Sequence, residues 1–243
     1  MRFKKVEILT RDRCKPVQWP NTPIGGSGTV GESPIERSRG TIRAVFWDLG
    51  GVIIRTEDRS RRVIWEDRLG LAPGELDQIV FAGEMGRKAA LGGASASDVW
   101  TWVSERLGLD DEQAQVLRRD FWRGEDLDRD LVAYIRRLKS NFRTGLISNA
   151  WPEIRKQIES EWGIADAFDD LIISAEVRLA KPDPRIFRLA LDRLGVEAGQ
   201  ALFVDDFTEN TKAAAALGMH TVHFKNRGQA QEQVESILSS QAI

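Results

Sequence analysis

The stretch Ala44–Gly51 reads AVFWDLGG, so a single aspartate stands between an unbroken apolar run and a pair of glycines. A short run that is apolar throughout is typical of a strand buried on both faces of a parallel sheet. Asp48 therefore lies just past the end of a predicted strand, residues 42–47. Aspartate and glycine also favour ordinary turns, so the meaning of Asp48 depends on what stands at the ends of the other strands.

Four more apolar runs follow, and helical patterns separate them. The further predicted strands are residues 142–147, 171–173, 201–204 and 220–224, and the predicted helices before them are residues 131–138, 152–162, 184–194 and 208–217. Pro152 suits a first helical turn, and Gly195 and Gly218 suit helix ends. Strands that alternate with helices imply right-handed crossovers. The predicted fold class is therefore α/β, with a doubly wound parallel sheet.

Residues 58–125 interrupt this alternation, because they show helical periods and no convincing strand. We interpret them as a helical cap inserted into a core that consists of residues 41–57 and 126–243. An insertion at this point would cover the carboxyl edge of the sheet, where open α/β folds bind ligands. Trp65, Trp100 and Trp102 could line a pocket there, although tryptophan at helical spacing is more often part of a core.

Residues 1–40 differ from the rest of the chain, because they hold proline and glycine breakers and no sustained apolar period. We expect them to form a mobile leader. The alternative is an arm that packs on the domain or on a partner.

Composition excludes several classes of protein. The formal net charge is −2, which gives no electrostatic reason to expect binding to nucleic acid or to an anionic membrane. A single cysteine, Cys14, excludes an internal disulfide and a thiolate zinc site, and fits a reducing cytoplasm. No apolar run approaches the ~20 residues of a membrane span. We therefore expect a soluble cytoplasmic protein, whose oligomeric state the sequence does not indicate.

Polar residues follow the later strands, as Asp48 follows the first. Ser148 and Asn149 precede a predicted helix, so they could hold a phosphate at its first turn, although both are also good ordinary helix caps. Lys181 stands in a loop before Pro182, where it could neutralise a phosphate and a nucleophile or simply be solvated. We predict that Ser148, Asn149 and Lys181 bind the substrate.

Asp205 and Asp206 end the fourth strand. Adjacent carboxylates repel each other, which is costly without a cation. Mg²⁺ prefers one or two carboxylates, carbonyl oxygens, waters and substrate phosphate, so the pair favours a magnesium site over an exposed acidic turn. Because the carboxyl ends of parallel strands meet at one edge, we expect these residues and Asp48 to form one site.

The motifs at the strand ends resemble those of the haloacid dehalogenase superfamily. The resemblance covers the chain from about residue 42 to the C-terminus. It is to the subgroup with a helical cap inserted after the first motif, which includes sugar-phosphate phosphatases and the phosphatase domain of soluble epoxide hydrolases. The motifs are Phe46–Ile53, Leu146–Asn149, Lys181–Phe187, Phe203–Asp206, Glu209–Asn210 and Ala214–Met219.

The resemblance implies roles for the residues that match the motifs. Asp48 is the implied nucleophile, which forms an aspartyl-phosphate, and Ser148 and Lys181 stabilise the phosphate and the nucleophile. Asp48 and Asp206 are the implied carboxylate ligands of magnesium.

The same resemblance makes Asp205 a supporting residue of the metal site and the backbone carbonyl of Gly50 a further metal ligand. The chain departs from the family at Gly50, where the phosphatases usually carry a second aspartate as general acid and base. A glycine carbonyl still binds a metal, but no carboxyl remains at this position to protonate the leaving group.

The leading hypothesis is a magnesium-dependent phosphatase that acts on a small phosphorylated metabolite. One alternative is a metal-free 2-haloacid dehalogenase, in which the aspartate attacks carbon; the acidic pair disfavours it. The other alternative is a catalytically degenerate relative that binds a phosphate ligand or a partner without turnover, and Gly50 favours it.

Overall fold

Five parallel strands form the central sheet of this computed structural model, which describes residues 41–240. The order across the sheet is β5-β4-β1-β6-β7, and every neighbouring pair is parallel. The predicted parallel α/β sheet is confirmed. The prediction of a mobile leader at residues 1–40 lies outside the described residues. Within residues 41–240 the strands are β1 (Ala44–Trp47), β2 (Ile54–Thr56), β3 (Glu125–Leu127), β4 (Arg143–Ser148), β5 (Asp170–Ile173), β6 (Ala201–Asp205) and β7 (His220–His223).

The register of the sheet brings the strand ends to one level. Trp47 pairs with Leu146 of β4 on one side and with Val204 of β6 on the other. Asp48, Ser148 and Asp205 come within two residues of these paired positions. They therefore lie at the same carboxyl edge of the sheet. This alignment explains why residues 48, 148 and 205 gather although they are far apart in sequence.

Helices cover both faces of the sheet. Alternate residues of β1 point to opposite sides: Val45 and Trp47 join the core under the helices at Arg129–Leu138 and Arg227–Ser239, whereas Ala44 and Phe46 join the core under the helices at Pro184–Leu194 and Thr208–Ala216. This period of two is expected of a strand that is buried on both faces. The helices of the core are α6 (Arg129–Leu138), α7 (Ile154–Lys156), α8 (Ser174–Val177), α9 (Pro184–Leu194), α10 (Thr208–Ala216) and α11 (Arg227–Ser239).

Five helices form the insertion between β2 and β3. Two of them start at side-chain caps: Ser95 and Asp98 form a capping box at α4, and Asp110 and Gln113 form one at α5. The insertion has its own apolar core, which includes Trp65 and Trp100. The insertion consists of α1 (Ser60–Leu69), α2 (Glu75–Ala82), α3 (Glu84–Ala90), α4 (Ala96–Leu107) and α5 (Asp111–Trp122).

Two short strands that the sequence did not predict close the base of the insertion. β2 and β3 pair as an antiparallel ribbon, in which Ile54 opposes Leu127. Each strand has three residues and no alternating pattern, so the pairing depends on tertiary contacts such as the bond from Asp128 N to Ile53 O. The described residues 41–240 belong to one compact unit, and the limits of the insertion as a separate cap stay a prediction.

The insertion rests on loops at the carboxyl edge of the sheet. Trp151, which follows β4, packs against Phe81 and Trp122 of the insertion with ring centroids 5.8 and 6.0 Å apart. Glu153 accepts a hydrogen bond from the backbone N–H of Ala96 at 2.9 Å, at the start of α4. The predicted helix 152–162 begins only at Ile154 and continues from residue 157 as a π-helical turn.

Among the described residues, no helix combines the length and the apolar character that a membrane crossing requires.

Candidate active site

Lys181 links the predicted site residues. Its Nζ lies 2.6 Å from Asp48 Oδ1 and 2.8 Å from Asp205 Oδ2, and its side chain is almost fully buried. The structure therefore brings together the ends of β1 and β6 and the loop before α9. Asp48 Oδ1 also accepts a hydrogen bond of 2.7 Å from the backbone N–H of Leu49, which fixes the carboxylate at the strand end.

Asp205 is fully buried, and hydrogen bonds hold both of its oxygens. The Asn210 amide donates to both oxygens at 3.0 Å, and the backbone N–H of Phe207 donates to Oδ1 at 2.7 Å. Lys181 Nζ also donates to Oδ2, so the hydrogen bonds of this carboxylate serve to position neighbouring groups. Asn210 therefore holds the Asp205 carboxylate in place.

Asp206 is the carboxylate with unused binding capacity. Its Oδ1 is buried and has no hydrogen-bond partner among the described residues. Oxygens of Asp48, Asp205 and Asp206 all lie within 4.8 Å of one another. A buried acceptor without a donor is costly, and three gathered carboxylates repel one another, so the cluster suits a bound cation.

The electrostatics of the cluster lead to the same conclusion. Burial raises the pKa of the Asp48 carboxyl from 3.8 to about 8, with repulsion from Asp205 adding to the effect and Lys181 opposing it. Burial and then the charge of Asp205 raise the pKa of Asp206 from 3.8 to about 6. A divalent cation at this position would favour the ionised form of both groups.

Gly50 and Gly51 form the loop beside the acidic cluster, and they differ in their surroundings. A β-carbon at Gly51 would lie 2.1 Å from Asp206 Oδ2, and Gly51 has a φ of +76°. A β-carbon at Gly50 would meet nothing within 4 Å, and its φ lies outside the left-handed region. Gly51 is thus required for the close approach of Asp206, a need that the sequence signals only through the glycine pair.

Ser148 and Asn149 lie at the end of β4, and their surroundings differ. Ser148 is buried at the end of β4, and Asp48 follows β1, the neighbouring strand of the sheet. The Asn149 side chain exchanges two hydrogen bonds of 2.8 Å with the backbone of Lys181. Asn149 therefore positions the lysine in this structure, and its contact with a substrate stays a prediction.

Comparison with known proteins agrees with this geometry. A family model described as haloacid dehalogenase-like hydrolase matches residues 42–218. D-ribitol-5-phosphate phosphatase from Bacteroides thetaiotaomicron is 27% identical over 82% of this chain and 100% of that protein. Bifunctional epoxide hydrolase 2 from Rattus norvegicus is 31% identical over 42% of this chain, and the chain spans only 8% to 21% of the length of this and the other mammalian relatives.

A solved structure shares the fold. It is a wild-type haloacid dehalogenase family enzyme from Bacteroides thetaiotaomicron in complex with magnesium and inorganic phosphate. The TM-score is 0.60 at 23% identity, over 76% of this chain and 94% of that one. This likeness shows the fold, and the family match over residues 42–218 shows that the chain belongs to the haloacid dehalogenase-like hydrolases.

Proposed function

We propose that this hydrolase is a magnesium-dependent phosphatase that acts on a small phosphorylated metabolite through an aspartyl-phosphate on Asp48. The observation that carries the proposal is the position of Lys181, which bridges Asp48 and Asp205 beside the unpartnered oxygen of Asp206. A lysine and a metal-binding carboxylate beside one nucleophilic aspartate suit an anionic phosphate. A relative that is a sugar-alcohol phosphatase and a fold neighbour that binds magnesium and phosphate support it.

Magnesium would be held by Asp48, Asp206 and the carbonyl of Gly50, with Asp205 supporting them. The donor set fits, because Mg²⁺ binds through one or two carboxylates and leaves room for waters and a substrate oxygen. When bound, the ion neutralises the carboxylates and the negative charge of the phosphate.

The proposed hydrolysis has two chemical steps, and residues of the site act in each of them. Lys181, Ser148 and Asn149 bind and orient the phosphate. A carboxylate oxygen of Asp48 then forms a bond to phosphorus while the bond from phosphorus to the leaving oxygen breaks. In the second step, a water oxygen bonds to the same phosphorus, the bond to Asp48 breaks and the carboxylate is restored. The water gives up a proton to bulk solvent, and the leaving oxygen takes one up from it. Lys181 stays beside Asp48 and offsets its charge throughout.

Two alternatives make different use of the same residues. A 2-haloacid dehalogenase would use Asp48 to attack carbon, but its anionic substrate would gain nothing from the unpartnered oxygen of Asp206. A degenerate phosphate-binding protein would keep Lys181 and Asp206 and lack turnover, as Gly50 suggests.

One experiment separates these three readings. Purified protein is assayed for hydrolysis of an aryl phosphate and a 2-chloropropionate, each with magnesium and with a chelator. We expect aryl phosphate hydrolysis that magnesium supports and that Asp48→Asn abolishes. Asp126→Asn, an exposed carboxylate in β3, is the matched control and should behave as the wild type.

Acid quenching with labelled substrate should also trap a phosphoenzyme in the wild type and none in Asp48→Asn. Hydrolysis that survives Asp48→Asn would disprove the nucleophile assignment. Phosphate binding without turnover would support the degenerate alternative, and chloride release that ignores chelation would support the dehalogenase.

For the whole protein, we propose a cytoplasmic location and a small-molecule partner without nucleic acid or membrane. The even charge balance and the single cysteine support this part of the proposal.

A further inference from the structure

The three carboxylates of the site each have a task other than protonating a leaving group. Asp48 is the proposed nucleophile, Asp206 a proposed metal ligand, and Asp205 is bonded through both oxygens. The side of the site next to Gly50 is open, since a β-carbon there would meet nothing within 4 Å. A substrate whose leaving group departs without needing a proton suits this arrangement.

An aromatic surface lies between the insertion and the core. Phe81, Trp122 and Trp151 contact one another pairwise, with ring centroids 5.8 to 6.0 Å apart. Phe81 is 43% exposed although it belongs to this cluster, so part of its ring remains available to another molecule. Aromatic rings stack on one another with a preference beyond simple burial of area.

Trp151 ties this surface to the phosphate-binding end of β4. It follows Ser148 by only three residues, and three peptide units span at most ~11 Å between α-carbons. The backbone of the intervening Ala150 is further held by hydrogen bonds to and from Ser174 Oγ at 3.0 and 3.3 Å. Trp151, the core's contribution to the aromatic surface, and Ser148 of the predicted phosphate subsite are therefore joined by one short, hydrogen-bonded segment.

We infer that the natural substrate is a phosphate ester of an aromatic, phenol-like hydroxyl, whose ring is bound by Phe81 and Trp151 while its phosphate lies at Asp48 and Ser148. This inference rests on the proposed phosphatase function and narrows its substrate class. A phenolate is a stable leaving group, whereas an alkoxide needs a general acid, whose help is typically worth ~10²–10⁴ in rate.

Four substrates separate leaving-group acidity from aromatic binding. Phenyl phosphate has both properties, acetyl phosphate only the acidic leaving group, benzyl phosphate only the ring, and glycerol phosphate neither. We expect kcat to be at least about 10²-fold higher for phenyl than for benzyl phosphate. We also expect KM to be lower for the two aromatic esters than for acetyl and glycerol phosphate.

Variants test where the ring binds. Trp151→Ala and Phe81→Ala should each raise KM for phenyl and benzyl phosphate by about 2- to 10-fold, the factor that stacking on one ring is worth. KM for acetyl phosphate and inhibition by inorganic phosphate should not change. Trp162→Ala, which removes a half-buried tryptophan packed on the core of the sheet, is the matched control and should leave KM for the aromatic esters unchanged.

Two results would overturn the inference and leave the phosphatase proposal intact. One is glycerol phosphate turnover equal to that of phenyl phosphate. The other is a Trp151→Ala variant in which inhibition by inorganic phosphate weakens as much as aromatic binding, because the tryptophan would then only position the loop. Failure to hydrolyse any of the four compounds would instead refute the proposed function itself.

Discussion

Gly51 lies so close to Asp206 that a β-carbon built on the glycine would fall 2.1 Å from the Oδ2 of the aspartate. The glycine is therefore part of the wall that sets the position of the candidate metal ligand, although it contributes no functional group of its own.

Gly51→Ala should displace the Asp206 carboxylate and strain the backbone, because φ at this position is +76°. We expect magnesium affinity, measured by titration calorimetry, to fall by about 10- to 100-fold, the usual loss when a group that positions a metal ligand is changed. Gly50→Ala is the matched control and should bind as the wild type, since its β-carbon meets nothing within 4 Å. Wild-type affinity in Gly51→Ala would contradict the prediction.

The stability of the metal-free protein should fall as pH rises. The pKa of Asp48 is raised from 3.8 to about 8 and that of Asp206 to about 6, so over these ranges the folded state binds protons that the unfolded chain has released. The contribution of these two groups to the free energy of unfolding is therefore fully present below pH ~4. It decreases as the pH rises toward ~8. Urea unfolding between pH 5 and 8 measures this slope.

Magnesium binding should show the opposite pH dependence, because the ion binds the ionised carboxylates and displaces protons. The increase in melting temperature on adding magnesium should be larger at pH 8 than at pH 5.5. Asp48→Asn removes the group with the larger shift and should flatten both curves. An unchanged slope in that variant would show that Asp48 does not titrate in this range.

Lys181→Met should leave two buried carboxylates without their cation. Removing one partner of a buried ion pair typically costs ~3–5 kcal/mol, and urea unfolding should show a loss of that size. Arg136→Met is the control, since its ion pair with Asp166 is exposed and should cost less than ~1 kcal/mol. Magnesium should restore more stability to Lys181→Met than to the wild type; a loss that magnesium leaves untouched would mean that the lysine serves packing rather than charge.

Gly50→Asp should accelerate hydrolysis of alkyl phosphates more than that of aryl phosphates. The open space at Gly50 and its ordinary φ accept the new side chain, which supplies a proton to an alkoxide but offers little to a phenolate. Gly50→Asn fills the same space without an acid and is the control. Equal acceleration of both classes would mean that another group already donates the proton or that the leaving step does not limit the rate.

The central sheet was predictable because its most buried strands are short, apolar runs with polar residues at their ends. The runs at Ala44–Trp47 and Ala201–Asp205 show both features, and the site residues follow them directly. The grouping of Asp48, Lys181 and Asp205 also followed from sequence, because parallel strands share one carboxyl edge.

Features that depend on contacts across the chain were not predictable. The β2–β3 ribbon has no pattern of its own, and the contact of Trp151 with Phe81 joins residues 70 positions apart. The two hydrogen bonds between Asn149 and Lys181 likewise show only in three dimensions, and the substrate contact that the sequence indicates for Asn149 stays a prediction.

The β2–β3 ribbon makes the insertion easy to replace by another segment. The chain leaves the core at Ile54–Thr56 and returns at Glu125–Leu127, so entry and exit lie side by side and hydrogen-bonded. A segment grafted between these two strands need only match the spacing of one antiparallel pair. Insertions from other proteins could therefore be transplanted there to change substrate choice, while Asp48 and its partners stay where the sheet holds them.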